Sequence, residues 1–199
     1  MARAKEFDRE VVLEIAKAVF WRKGYEATST EDLRLAMGIG RQSFYDSFGG
    51  KRQIYVEVLR RYNLDGIQAV VAKMAAAPSP RAVLENLLLS FSKEKPKDRA
   101  LGCMGVAAMC EFGVSDPTVA NIGRSSSARL DSLLEQLLRE AKAKGEARAS
   151  LNARAAARHL NATILGLKVM SKAGASTQTL RDVAVAAIDG LGPPRSGRG

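Results

Sequence analysis

The sequence predicts an all-α fold of about nine helices. Apolar residues recur every three or four positions through most of the chain, alanine, leucine, arginine and glutamate fill the segments between breaks, and no segment alternates as a strand does. With 199 residues and 46% hydrophobic content, the chain can bury a sizeable core. We expect a small three-helix unit over residues 1–50, a larger helical domain over 51–192 and a disordered tail over 193–199.

The first two helices are marked by periodicity and by end signals. Apolar residues fall on one helical face from Asp8 to Lys23, and Gly24 is placed to end that helix. The stretch TSTE then predicts a second start, with Thr28 capping the helix and Glu31 reaching back to the N–H of the cap.

Cap and proline signals place the remaining helices. Their predicted spans are 41–48, 51–77, 80–92, 103–112, 117–144, 153–173 and 177–190. Ser79, Asp116 and Asn152 are the expected N-caps of three of them. The charged stretch KEKPKDR, residues 93–99, is interpreted as a proline-broken loop.

Charge and cysteine content limit the class of protein. The net charge of +10 favours an acidic partner, but residues 1–62 carry only +3 (12 Lys and Arg against 9 Asp and Glu), so charge does not locate a polyanion site. Cys103 and Cys110 lie seven residues apart, about 10 Å on a helix, too far for a disulfide. The longest apolar stretch spans about ten residues and is too short to cross a bilayer. We expect a soluble, cytoplasmic protein.

The stretch GIGRQSFYDSF, residues 38–48, has the composition of a DNA-recognition helix. A short helix, a glycine turn and a second short polar helix form a helix-turn-helix, whose second helix lies in the major groove. Ile39, Phe44 and Phe48 are spaced to anchor that helix inward, together with Leu33 and Met37 from the helix before it. The outward face then presents hydrogen-bonding groups: Arg41, Gln42, Ser43, Tyr45, Asp46 and Ser47.

The N-terminal region resembles the DNA-binding domain of the TetR family of transcriptional regulators. The matching pieces are AKAVFWRKGYEATS followed by TSTEDLRLAMGIGRQSFYDSFGGKRQIY, over about residues 8–60. The stretch GCMGVAAMCEFGVSDPTVA is similar to part of the regulatory domain in one branch of that family, which would extend the resemblance to most of the chain.

The resemblance implies roles for eight residues in binding an inverted-repeat operator in double-stranded DNA. Arg41, Gln42 and Ser43 match positions that face the major groove, where arginine suits guanine and glutamine suits adenine. The other positions implied to contact DNA are Thr28 and Ser29 at the second helix's N-terminus, Tyr45, Ser47, and Lys51 at the start of helix four.

Two positions depart from the family pattern. Gly40 stands where serine or threonine usually caps the recognition helix, and glycine caps at a cost of only a few tenths of a kcal/mol, roughly. Arg34 stands where a small residue usually packs beneath that helix, so its stem is expected to extend to the surface.

The resemblance also implies a homodimer formed by the last two helices, residues 153–190. Their apolar stripes are compatible with a four-helix bundle: Ala156, Leu160, Ile164, Leu167, Met170, Ser171, Leu180, Val183, Ala184, Ala187 and Ile188. The alternative is that these stripes complete the core of a single protomer.

In such a regulator the middle helices would line a pocket for a small-molecule effector. The candidate lining residues are Leu84, Leu88, Phe91, Cys103, Met104, Met109, Phe112, Leu134, Leu137 and Met170. The alternative is that they belong to the core, because apolar residues at helical spacing are more often core residues than ligand contacts.

Cys103 carries a second hypothesis, that of an oxidant- or electrophile-sensing thiol. It follows Gly102 at the expected start of a helix, where a thiolate is favoured. A lysine such as Lys172 would stabilise the thiolate further if it lies near the sulfur. The alternative is a buried structural cysteine.

Other function classes find little support in the sequence. One histidine, His159, and two cysteines make a metal site improbable, and no catalytic triad order, P-loop or dinucleotide fingerprint is present. We expect no enzyme and no cofactor. The remaining rival is a helical interaction or membrane-surface protein, but residues 41–47 lack the lysines and exposed leucines of a membrane-binding face.

Overall fold

The computed structural model describes residues 7–192, which form ten α-helices and no strand. In chain order the helices are α1 (Arg9–Lys23), α2 (Thr30–Met37), α3 (Arg41–Phe48), α4 (Lys51–Ala76), α5 (Pro80–Lys93), α6 (Pro96–Leu101), α7 (Met104–Phe112), α8 (Pro117–Ala143), α9 (Ala153–Lys172) and α10 (Thr177–Asp189). The all-α prediction is confirmed. The predicted tail, 193–199, lies outside the described residues. No helix within 7–192 is both long and apolar enough to span a membrane.

One helix lies where the sequence predicted a loop. Pro96 starts α6 because its fixed φ suits a first helical position and its missing N–H needs no partner there. The Lys95 carbonyl accepts hydrogen bonds from the N–H groups of Asp98 and Arg99, and the Arg99 guanidinium donates to the Glu94 carbonyl. The interpretation of 93–99 as a loop was therefore wrong.

The cap of α2 lies one residue later than predicted. Ser29, not Thr28, is the N-cap, and Asp32, not Glu31, completes the capping box. The Thr28 hydroxyl is buried and donates to the carbonyl oxygen of Gly24 at 2.6 Å, so it is not available as a cap. The predicted caps of α5, α8 and α9 are confirmed.

Two hydrophobic cores organise the protein. The first joins α1, α2 and α3 to the N-terminal half of α4 and continues into α7 and α8 through Met104, Ala108 and Val119. The second joins α5, α8, α9 and α10 to the end of α4. Because α4 contributes to both cores and α7 packs against the first, these two helices link the N-terminal unit to the rest of the chain.

The apolar stripes predicted for dimer contact belong to the second core. The buried members of those stripes are Ala156, Leu160, Ile164, Leu167, Ser171, Leu180, Ala184, Ala187 and Ile188. Met170 and Val183 are partly buried against the same core. The assignment of the buried members to a dimer interface was wrong, because they complete the core of the protomer, while the homodimer itself stays a prediction.

Candidate nucleic-acid interface and regulatory cavity

The short helix α3 is anchored as the sequence predicted. Phe44 and Phe48 are buried, and Ile39 fills the turn between α2 and α3. Gly38 adopts a left-handed conformation with φ of 65°, and its N–H bonds back to the carbonyls of α2, which ends that helix. Gly40 caps α3 without a side-chain hydrogen bond, as its missing side chain requires.

The outward face of α3 is open to solvent. Arg41, Gln42 and Ser43 are exposed, Tyr45 is 42% exposed and Ser47 is half-buried. Among residues 7–192, the side chains of Arg41 and Ser43 have no hydrogen-bond or ion-pair partner. The Gln42 amide donates to the Asp46 carboxylate at 2.8 Å, which orients it along the helix. Two of the three predicted base-reading side chains are therefore free to bond to DNA.

The N-terminus of α2 differs from the expected phosphate site. The Ser29 N–H donates to the Asp32 carboxylate at 2.9 Å, and the Lys23 ammonium reaches the same carboxylate at 2.7 Å. Lys23 and the two Ser29 donors lower the pKa of Asp32 to about 2, so this carboxylate is charged. Thr28 is buried and its N–H donates to the Tyr25 carbonyl at 3.2 Å, so the phosphate contact expected from backbone N–H groups at this helix end stays a prediction.

Lys51 is held at the first position of α4. Its ammonium lies 4.1 Å from the centre of the Tyr25 ring, a cation–π distance. Arg34 lies half-buried and pairs with Glu31, while its Nε is buried without a partner among the described residues. The Arg34 side chain is therefore largely buried and reaches the surface only where it pairs with Glu31, so its expected packing beneath α3 stays a prediction.

Besides the packing against α4, polar side-chain contacts join the N-terminal unit and the start of α4 to α7 and the residues that flank it. The Glu111 carboxylate accepts from the backbone N–H of Tyr25, and the Trp21 indole donates to the carbonyl of Gly102 at 2.9 Å. Arg52 forms an ion pair with Asp116 at 2.9 Å. These links could not be predicted from the sequence, because they join residues far apart in the chain.

A cavity of about 440 Å³ lies between α4, α7, α8 and α9. Of the ten predicted effector contacts, only Cys103 and Met109 line it. Five of the others are buried in the second core, where they pack against neighbouring helices: Leu84, Leu88, Phe91, Leu134 and Leu137. Met170 packs against the same core, and Met104 and Phe112 belong to the first. These eight side chains therefore do not line this cavity, although Phe91 lines a smaller one beside it.

A smaller cavity of about 280 Å³ adjoins the first. Cys103 and Lys168 line both, and Phe91, Glu94 and Ser171 line only the smaller one. The Ser171 hydroxyl is buried there without a hydrogen-bond partner among the described residues. Sequence reasoning missed Lys168 because helical periodicity alone does not show which polar residue of α9 faces a gap.

Cys103 is the N-cap of α7 and is buried. Burial opposes ionisation of its thiol, but the Lys168 ammonium, the Tyr62 hydroxyl and the backbone N–H groups of Val106 and Gly105 outweigh burial and lower its pKa. The cation acting on the thiol is therefore Lys168, not the predicted Lys172, whose stem packs against Gly102. Cys110 is exposed.

Known proteins align with nearly the whole chain. The profile of bacterial regulatory proteins of the tetR family matches residues 12–58, and that of the tetracyclin repressor-like C-terminal domain matches 80–187. The uncharacterized HTH-type transcriptional regulator YezE of Bacillus subtilis (strain 168) is 33% identical over 185 residues, 92% of this chain and 95% of that protein. The HTH-type transcriptional repressor ComR of Escherichia coli (strain K12) is 30% identical over 188 residues, 92% of this chain and 88% of that protein.

A solved structure shows the same fold bound to DNA. A cysteine mutant of the TetR family transcriptional regulator CifR, complexed with 26-bp double-strand operator DNA, superposes with a TM-score of 0.80. The two chains are 27% identical, and the match covers 94% of this chain and 98% of that one.

An anchored α3 with an open polar face, mounted on a helical body, defines a helix-turn-helix DNA-binding regulator. The profiles and relatives specify which kind. The chain belongs to the TetR family of transcriptional regulators, and its partner is DNA.

Proposed function

We propose that this chain is a homodimeric repressor that binds an inverted-repeat operator and is released from it by a small-molecule or redox effector. One observation carries the proposal: α3 is fixed by buried Phe44 and Phe48 while Arg41 and Ser43 on its outer face have no partner within residues 7–192. Such a regulator acts in the bacterial cytoplasm, where its operator lies.

The residues of the interface have distinct roles in this proposal. Arg41 reads guanine, and Gln42 reads adenine once its amide leaves Asp46. Tyr45 and Lys51 bond to phosphates and set the register of α3 in the groove, while Ser43 and Ser47 supply hydroxyl contacts. At the N-terminus of α2, contact is expected from the Ser29 hydroxyl and the backbone near Thr28.

The proposed dimer uses the outer face of α9 within residues 153–190. A stripe at alternating spacings of four and three, four of whose six residues are alanine or glycine, is exposed there: Ala155, His159, Ala162, Gly166, Val169 and Ala173. This is the spacing of a helix–helix contact, and small side chains allow close approach. Two protomers would place two α3 helices on one face of DNA, which an inverted repeat requires.

The proposed effector site is the 440 Å³ cavity. Gly105, Val106, Ala108 and Met109 of α7 line it, and the C-terminal end of the same helix holds the N-terminal unit through Glu111. A ligand that favours a different position of α7 shifts the population toward a state with wrongly spaced recognition helices. Modification of Cys103, at the other end of α7, would act on the same helix.

A reporter experiment tests the repressor assignment. The DNA upstream of the gene is placed before a reporter in bacterial cells, with or without the protein. The account expects expression to fall when the protein is present and to recover with Arg41→Ala. Expression that is unchanged or rises with the wild-type protein would contradict repression.

A further inference from the structure

One face of α9 presents two polar groups to the larger cavity, separated by an apolar residue. Asn161, Leu165 and Lys168 all line the cavity and follow one another at spacings of four and three. Seven residues of helix correspond to about 10 Å along the axis. The cavity therefore has a polar group at each of two ends, about two helical turns apart.

The Asn161 end offers a hydrogen-bond acceptor. Its Nδ2 donates to the Asp131 carboxylate at 2.8 Å and to the Ser127 hydroxyl at 2.9 Å, and a carboxylate accepts only, which fixes the orientation of the amide. Asn161 is 5% exposed, yet its Oδ1 accepts no hydrogen bond within residues 7–192 and is not sealed from solvent. This oxygen is a fixed acceptor open to the cavity.

The Lys168 end offers an uncompensated positive charge. None of the ion pairs among the described residues includes Lys168, and no aspartate or glutamate lines the larger cavity. Arg124 adds a second cation to the wall. Glu94, which lines only the smaller cavity, interacts electrostatically with Lys168 without forming an ion pair, and burial raises the pKa of Glu94, which weakens it as a counter-ion.

Much of the cavity wall is apolar, beside the polar Asn63, Ser126 and Ser127. Its larger apolar side chains include Leu59, Val106, Met109, Val119, Leu130 and Leu165, the last of which lies between Asn161 and Lys168 on α9. A volume of about 440 Å³ accommodates a ring with a short side chain.

We propose that the larger cavity binds an amphipathic organic acid, with its carboxylate beside Lys168, its apolar body along Leu165 and a hydroxyl donating to Asn161 Oδ1. This inference rests on the proposed function, because it names the class of the effector. The proposed binding mode has a second consequence. The carboxylate of the bound acid and the Cys103 thiolate compete for the Lys168 ammonium, so a bound acid disfavours the thiolate.

The test uses 3-(4-hydroxyphenyl)propanoate as the probe. Its phenol and carboxylate are separated by about the Asn161–Lys168 spacing. Binding to the full-length protein is measured by calorimetry without DNA, beside two matched compounds. One is the neutral 3-(4-hydroxyphenyl)propanamide, which lacks the charge, and the other is 3-phenylpropanoate, which lacks the hydroxyl.

We expect the acid to bind at least about tenfold more tightly than the amide, and loss of the hydroxyl to weaken binding about fivefold. Lys168→Gln should abolish the preference for the acid over the amide. Arg158→Gln, which removes an exposed charge from the same helix outside the cavity, should leave it unchanged. With Cys110→Ser in the background, the bound acid should slow alkylation of Cys103 by iodoacetamide, and the amide should not.

Equal binding of acid and amide to the wild-type protein would overturn the proposal, as would no binding of the acid by protein that still binds its operator. Binding of the acid by protein that binds no operator would support the acid site and contradict the repressor assignment. Failure of the acid site and failure of the repressor assignment therefore give different results.

Discussion

The carboxylate of Glu111 accepts hydrogen bonds from the backbone N–H of Tyr25, with N–O distances of 3.1 and 3.0 Å. It also lies 3.4 Å from the N–H of Glu26. Glu111 is near the C-terminal end of α7, and the N-terminal part of the same helix lines the cavity. One nine-residue helix therefore touches both the cavity wall and the segment that leads into α2.

Glu111→Ala should loosen the segment between α1 and α2. It removes charge-assisted hydrogen bonds to two backbone donors, which we expect to lower the free energy of unfolding by about 1 kcal/mol. Hydrogen exchange of the Tyr25 and Glu26 amides should become faster, with urea unfolding measured in parallel. Glu26→Ala removes a neighbouring exposed carboxylate that accepts no hydrogen bond from the residues the structure describes, and it should change neither quantity. Unchanged exchange of the Tyr25 and Glu26 amides in Glu111→Ala would contradict the role of Glu111 in holding the segment between α1 and α2.

The reactivity of Cys103 should depend on Lys168. Because the pKa of Cys103 is lowered, the thiolate that reacts is populated at lower pH, and the midpoint of the rate–pH profile should lie below that of an ordinary cysteine thiol. Lys168→Gln removes the cation, so the midpoint should rise and the rate at neutral pH should fall. The measurement is iodoacetamide alkylation in a Cys110→Ser background.

Lys172→Gln is the matched control for that profile. Lys172 packs against Gly102, but it is not among the groups that lower the pKa of Cys103. Replacing Lys172 should leave the midpoint of the rate–pH profile of Cys103 unchanged. A shift with Lys172→Gln and none with Lys168→Gln would refute the assignment of the cation.

Gly166→Glu should dissociate the proposed dimer without unfolding the protomer. Gly166 is exposed within α9, and a Cβ built there meets no atom within 4 Å in the protomer. Replacing a helical glycine should even favour the helix by up to about 1 kcal/mol. Sedimentation velocity should then show monomers for this variant and dimers for Ala143→Glu, an exposed site on α8. A Gly166→Glu protein that remains dimeric would place the interface elsewhere.

Lys51→Ala should weaken binding to every DNA sequence alike. A lysine that bonds a phosphate contributes affinity without sequence preference, so its loss should reduce the slope of log K against log salt by about 1. Loss of the contact with the Tyr25 ring should cost about 0.5–1 kcal/mol of stability. Arg139→Ala, which removes the same charge from α8, should leave the slope unchanged.

Local signals in the sequence were sufficient to predict the helix-turn-helix and its buried anchor residues. Ile39, Phe44 and Phe48 were predicted as anchors from spacing alone, and all three are buried. The cap of α2 was misplaced by one residue because Thr28 and Ser29 are both good caps. What decides between them is the hydrogen bond of the Thr28 hydroxyl to the Gly24 carbonyl, which depends on the geometry of the preceding turn.

The cavity could not be predicted in the same way. Leu84, Leu134 and Leu167 have the same helical spacing as residues that line a gap, but they are almost fully buried between neighbouring helices. Which apolar face meets a partner and which meets a cavity depends on how the helices cross. Asn161 and Lys168 face the cavity for the same reason, and no local pattern distinguishes them from other polar residues of α9.

The measurement that tests the central claim most directly is selection of genome fragments by the purified protein, followed by salt-dependent binding to the enriched duplex. The account predicts an inverted repeat bound by two protomers. Arg41→Ala should cost about 1–3 kcal/mol of specific binding and relax the preference at one base position, while Arg139→Ala should not. No enrichment above random duplex, or full specific affinity in Arg41→Ala, would contradict the assignment of α3 as the helix that reads DNA.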